Sequence, residues 1–417
     1  MNSVFAPASA QRIQADLEAL GRYNSTPGEG ITRVALSPED LEGRSYIKKR
    51  MQTMGLEVSE DAAANLFGVL PGRDRTLAPV WTGSHLDTVL NGGAFDGMAG
   101  VVCPLEAIRL IQEAGITLRR DLCVVVYTSE EPTRYGMGCI GSRALAGKLT
   151  YQDALTLLDG EGVPLAETLK GLGHDPQALD RLGRRPGDVH ASVELHIEQG
   201  EVLECSGRTI GVVHTISAPT EMHVTIRGKQ SHAGATPMDL RRDPMAAAAE
   251  MILALERMAR AYDNPSTVAT VGKLNVFPNA SNVIPQRVEC SVDLRSSRFE
   301  EKEGLREGLN HCLARLREER GVEIDAQVIC NDHPVAADPH IVSLIQDSCR
   351  ALGCSQLDMA SGAYHDSMLV SQFAPFGMIF VPSKGGISHD RREWTEYSDL
   401  AAGTDVLVNA LWELANE

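Results

Sequence analysis

Four stretches of the 417-residue chain carry side chains that can hold a cation or move a proton. The first is Gly83-Ser-His85-Leu-Asp87-Thr, which continues to Phe95-Asp96-Gly97-Met-Ala-Gly100. The others are Thr128-Ser-Glu130-Glu131, Glu194-Leu-His196-Ile-Glu-Gln199-Gly and Gly385-Gly-Ile-Ser-His389. His85 and Asp87 are two apart, so in extended chain they project to the same side. A carboxylate on one ring nitrogen fixes the imidazole tautomer and leaves the other nitrogen free for a metal. Asp96 follows beyond a Gly-Gly bend, and Gly97 lets the backbone pass close to whatever Asp96 holds. Alone, His-x-Asp also describes a satisfied pair in a turn-rich loop, and Glu-Glu an acidic turn.

Together, His85, Asp96, Glu130, Glu131, His196 and His389 supply three imidazoles and three carboxylates. Zinc, manganese, cobalt and nickel accept such donors. A site for two metals about 3.5–4 Å apart needs a bridging carboxylate and further ligands on each side. Asp96 fits the bridge, His85 and His196 one metal, and Glu131 and His389 the other. Adjacent residues in extended chain point opposite ways. Glu130 is therefore expected to do a different job from Glu131, as the general base toward water.

The elements that must position these residues are legible as apolar runs. Pro79–Thr82, Leu122–Thr128, Ala191–His196 and Gly377–Val381 read as strands buried on both faces. Helical patterns separate them, over about 98–114, 339–352 and 398–415, and earlier over 8–22 and 37–54. This alternation predicts an α/β domain with a doubly covered mixed sheet. Each strand delivers His, Asp or Glu at or past its carboxyl end, the edge where open α/β sheets bind ligands. From about residue 213 the order becomes strand–helix–strand–strand–helix–strand, a ferredoxin-like unit. The expected organisation is one domain over 1–212 and 331–417, which carries the four stretches, with a second domain inserted over 213–330. Residues 150–190 give no clear pattern.

Composition excludes several classes. Lys and Arg number 39 against 56 Asp and Glu, so the net charge is 39 − 56 = −17. Such a chain is a poor partner for nucleic acid or an anionic membrane. No apolar run approaches the roughly 18 residues of a membrane span. The first residues lack the basic and apolar regions of a signal peptide. The nine cysteines are scattered without Cys-x-x-Cys, which points to reduced, cytoplasmic usage. No Gly-x-Gly-x-x-Gly follows the first strands, which argues against a dinucleotide-dependent enzyme.

The four stretches, with Gln230-Ser-His232-Ala-Gly-Ala-Thr-Pro-Met238, resemble the di-metal aminoacylase and carboxypeptidase superfamily of peptidases. More narrowly they resemble its amidohydrolase branch of N-carbamoyl-L-amino acid, allantoate and ureidoglycolate hydrolases, in which a His, here His196, stands where peptidases often have an acid. The resemblance implies cleavage of a ureido C–N bond, releasing CO2 and ammonia, on two divalent metals (zinc, or manganese, cobalt or nickel). It implies that Arg295 and Asn282 hold the substrate carboxylate, that Gln199 reads the ureido group, and that His232 stabilises the oxyanion from a partner subunit's lid. The resemblance makes the inserted domain, 213–330, the lid and dimerisation domain, so that a homodimer through it and closure between domains follow as expectations. His214, His223 and His365 are expected to be core or surface residues. One departure bears on substrate: Ser361-Gly-Ala-Tyr364-His-Asp carries Tyr364 where carbamoylases and allantoate hydrolases usually have Gly, which resembles ureidoglycolate hydrolases. A dipeptidase or aminoacylase is the other alternative, disfavoured by His196 and the Arg295–Asn282 pair.

Overall fold

Four strands of the chain have every residue buried: Val80–His85, Leu122–Tyr127, Ala191–Ile197 and Phe376–Val381. Burial along both alternating faces requires cover on both sides, as in α/β sheets. The computed structural model describes residues 4–417 and shows these strands side by side and parallel. Their spatial order is Leu122–Tyr127, Val80–His85, Ala191–Ile197, Phe376–Val381. Leu66–Leu70 flanks this parallel set antiparallel on one side, and Ile210–Ile216 on the other. The sheet is therefore mixed, with its parallel strands in the centre. All four central strands end at one edge, so the loops that follow them converge there.

Helix Ala99–Glu113 packs between the Val80–His85 strand and the closing helix Tyr397–Asn416. Trp81, Cys123, Val125 and Tyr127 pack with Leu145, Val370 and Phe373 in a separate apolar cluster. Chain contacts divide the molecule into two units, one of residues up to His214 with Ala337–Met359 and His365–Glu417, the other of Thr215–Ala336 with Ala360–Tyr364. The second unit is an antiparallel sheet in the order Glu323–Asn331, Ala218–Arg227, Arg287–Ser296, Val268–Phe277. Helices Pro244–Arg260 and Phe299–Arg320 bury Met251, Leu255, Leu305 and Leu309 against Val224, Val288 and Val292. On the Arg287–Ser296 strand, buried and half-buried residues alternate along its whole length. That is the pattern of a sheet with one face on the core.

The unpatterned region contains helices Tyr151–Thr156 and Leu165–Gly171, which pack around Leu149, Ala154 and Leu179. Strand Ile210–Ile216 and the helices Ile140–Leu145 and Asp366–Val370 were also not predicted. The two helices are only one or two turns long, too short to show a 3.6-residue period.

Gly83 sets the geometry before the first site loop. The ladder to Ala191–Ile197 runs only from Val80 to Thr82. Gly83 then takes φ +147°, and a Cβ there would lie 1.9 Å from the Val125 carbonyl oxygen. That oxygen belongs to a buried backbone and cannot yield. Gly83→Ala should therefore destabilise the fold by about 2 kcal/mol or more, read as a lower urea midpoint. An unchanged midpoint would show that the strand relaxes freely.

Candidate active site

The site forms where the loops after the four parallel strands meet. His85 is the last residue of its strand, and its Nδ1 lies 2.9 Å from the Asp87 main-chain carbonyl. His196 sits one residue before its strand's end, with Nδ1 2.9 Å from the Ile197 carbonyl. A carbonyl oxygen only accepts, so each Nδ1 carries the proton and each Nε2 presents its lone pair. Both Nε2 atoms face Asp96 Oδ1, at 3.6 Å from His85 and 3.2 Å from His196. The other oxygen, Oδ2, lies 3.2 Å from His389 Nε2, which is 3.3 Å from Glu131 Oε1. Two triads thus share Asp96: His85–Asp96–His196 and Asp96–Glu131–His389. Glu130 stands apart from Glu131, its Oε2 3.7 Å from His85 Nε2.

The reason the two glutamates diverge differs from that expected. They do not lie in extended chain: Ser129 takes φ +53° and turns the chain out of the sheet. The Asp87 carboxylate then accepts their two backbone N–H groups, at 3.2 Å from Glu130 and 3.0 Å from Glu131. This corrects the expected pairing of Asp87 with the His85 ring. The Asp87 carboxylate stays 3.8 Å from Nδ1, and its main-chain oxygen holds the imidazole instead. Asp87 therefore positions the glutamates. Burial pushes its own acid up to about 6, against the opposing pull of His85.

The local field favours a cation. Burial works against charge on His85 and His196, yet Glu130, Asp96 and Asp87 around the first, and Asp96 beside the second, raise both. Hydrogen bonding to Asp96 and Glu131 raises His389 to about 10. Asp96 is held well below the usual carboxylate range: burial opposes its charge, and the three histidines outweigh it. Glu130 moves the other way, raised well above its ordinary value by burial and then by Glu131, Asp366 and Asp96. These residues fit a metal pair. Two donors on one tetrahedral zinc at about 2.0–2.2 Å stand about 3.4 Å apart, and the Nε2 to Asp96 separations bracket that value. Gln199 donates to Asp96 Oδ2 at 2.7 Å, while its Oε1 is buried with no hydrogen-bond partner. Gln199 and His389 also hold positive φ, as Ser129 does, a strain typical of functional loops.

Gly97, at φ +65°, passes directly behind His85: a Cβ there would sit 2.4 Å from the ring. The glycine is thus fitted to the imidazole as well as to Asp96. Three further residues belong to the site. Glu393 accepts the backbone N–H groups of Phe95 and Asp96, each at 3.0 Å, and is pushed up to about 7 by burial and by Asp96. Glu194 accepts from Ser84 and Ser367 beneath the histidines. His365 is buried with its ring 4.6 Å from that of His196, so it belongs to the site. The sequence signals were Glu194 two residues before His196, Glu393 four after His389, and the place of His365 in the Ser361–Asp366 motif.

The remaining candidates lie in the Thr215–Ala336 unit. His232 is exposed and pairs with Val283 in a two-residue ladder, next to Asn282, whose carbonyl accepts from Ala233 at 2.9 Å. Its Nδ1 accepts from Gly234 and Ala235 N–H at 3.1 and 3.2 Å. The neutral ring is therefore protonated at Nε2, an outward donor. Arg295 is engaged by Asp293, with Nη2 2.9 Å from Oδ2, and its Nη1 donates to Gly362 O at 3.0 Å. Among the described residues no helix is long and apolar enough to cross a membrane.

The chain belongs to peptidase family M20/M25/M40, whose family model matches residues 81–413. It is 40% identical to an N-carbamoyl-L-amino acid amidohydrolase of Geobacillus stearothermophilus, over 97% of this chain and 98% of the relative. It is 36% identical to a ureidoglycolate hydrolase of Oryza sativa subsp. japonica, over 97% of this chain and 84% of the relative. A crystal structure of an amidase of the hydantoinase/carbamoylase family from Burkholderia multivorans superposes with TM-score 0.92 at 35% identity, covering 99% of each chain. Within the peptidase family, this protein is an amidohydrolase of ureido or carbamoyl compounds.

Asp87→Asn keeps the size of the side chain but turns an NH2 toward one of the glutamate N–H donors. Ammonia release should fall about 10- to 100-fold, the usual cost of losing such a support. Unchanged steady-state kinetics would show that the glutamates hold their positions without it.

Proposed function

We propose that this protein hydrolyses an N-carbamoyl-L-amino acid on two divalent cations, zinc or one of manganese, cobalt and nickel. The observation that carries the reading is the sharing of Asp96 between two triads, with Glu130 left outside both. His85 and His196 would hold one cation, Glu131 and His389 the other, and Asp96 both. Bound there, the cations would supply Lewis-acid polarisation of the ureido carbonyl and would acidify water.

Glu130 is the general base. Its raised proton affinity lets it take a proton from water at a carboxylate oxygen and return it to the departing nitrogen. Water adds to the ureido carbon, the C–N bond to the amino acid breaks, and the amine leaves with that proton. The carbamate released decomposes to CO2 and ammonia. The outward Nε2–H of His232 suits an oxyanion, and Arg295 with Asn282 suits the substrate carboxylate. Gln199 is assigned to the ureido group. The reading includes a homodimer through the Thr215–Ala336 unit.

Ureidoglycolate is the second reading, with allantoate beside it. Tyr364 favours ureidoglycolate. The Arg295 guanidinium donates to Gly362 on the segment that carries Tyr364, so that segment is tied to the residue assigned to the carboxylate.

The test is ammonia release from N-carbamoyl-L-amino acids, N-carbamoyl-β-alanine, allantoate and ureidoglycolate, with each metal added after chelation. Release should vanish on chelation and return with metal. Glu130→Gln should lower it at least about 10²-fold while metal analysis still finds two ions per chain. His389→Ala should lose one ion. Cleavage of a dipeptide with no ammonia from any ureido acid would overturn the reading.

A further inference from the structure

The Thr215–Ala336 unit holds a cavity of about 470 Å³ lined by Arg227, Lys229, Arg242, Arg287, Gln286 and Glu323. Its volume falls within the range of about 300–1,000 Å³ usual for small-molecule sites. None of its residues has a part in the chemistry above.

Its charges are arranged against the interest of the fold. Arg227 and Arg287 stand directly opposite each other on adjacent antiparallel strands, where like charges repel and destabilise the sheet. Glu323 faces Arg227 from the strand on the other side, and Glu289 lies 3.2 Å from Arg287 Nε. The Arg287 guanidinium also rests 4.2 Å from the centre of the Phe277 ring, which holds it flat on the strand. Two carboxylates thus meet four cations. In a chain of net charge −17, a concave cluster of excess positive charge is not a by-product of composition. The main-chain N–H of Lys229 donates to the Arg242 carbonyl at 2.9 Å, which closes the base of the loop between them and brings both residues to the cavity rim.

We infer that this cavity binds a small multivalent oxyanion of the phosphate or pyrophosphate class. Guanidinium forks match phosphate oxygens in pairs. A bound anion would turn the Arg227–Arg287 repulsion into a shared attraction.

The test is calorimetric titration of the metal-loaded protein with pyrophosphate and, separately, phosphate, with chloride holding ionic strength constant. Saturable binding at one site per chain is expected, tighter for pyrophosphate. Arg227→Gln/Arg287→Gln should weaken it about tenfold or more without changing ammonia release. Glu323→Gln removes a competing carboxylate and should tighten binding several-fold, which tests the site even where the double variant folds poorly. Anion held only on the active-site metals would bind the double variant and Glu323→Gln as it binds the parent. That result, or no saturable heat, would overturn the inference.

Discussion

The structure around the site depends on one buried carboxylate, that of Asp96. An isolated buried charge is severely disfavoured, so Asp96 is tolerable only with partners on both oxygens. It has them: His85 and His196 on one, His389 and Gln199 on the other. Those partners come from two strands, Val80–His85 and Ala191–Ile197, and from two later loops. The parallel sheet is what brings them together, because its four central strands all end at one edge. The carboxylates gathered there raise the basicity of all three histidines, against burial.

The supports are as specific as the site residues. Main-chain carbonyls hold the Nδ1 atoms of His85 and His196, so tautomer choice is written into the backbone. Asp87 is thereby released to fix the turn that carries Glu130 and Glu131. Glu393 does the equivalent for Asp96, accepting its N–H and that of Phe95. Gly83 and Gly97 remove the Cβ atoms that would strike Val125 and His85. Left-handed Ser129, Gln199 and His389 mark the points where strand ends bend into the cluster. Such strain persists only because the packed sheet over-determines it.

The second unit has its own core and its own logic. One face of its sheet carries the helices and the apolar side chains. The short ladder of Ser231–His232 with Val283–Ile284, continued by the Ala233 N–H to Asn282 carbonyl bond, brings the backbone of His232 near that of Asn282. There the ring's Nδ1 is occupied and its Nε2–H turned outward. Arg295 alternates with buried Leu294 and Ser296, so strand periodicity alone assigns it to the face away from the core.

The sequence by itself determined which residues could do chemistry, because their types and their place after apolar runs are local properties. It determined the two-part organisation for the same reason: continuous apolar runs and alternating ones differ in period, and period is written in the chain. It left out short elements such as Ile140–Leu145 and Asp366–Val370, where one or two turns carry too few residues to show a period. It also missed Glu194, Glu393 and His365, each an ordinary side chain until a neighbour arrives. Only the tertiary structure decided that Asp87 serves the glutamates through its carboxylate and His85 through its main chain. Spacing shows which residues can meet, but which atom of a residue is used depends on the direction of the backbone. That direction changes at Gly83 and Ser129, where packing against the neighbouring strands, and not local preference, sets the dihedral angles.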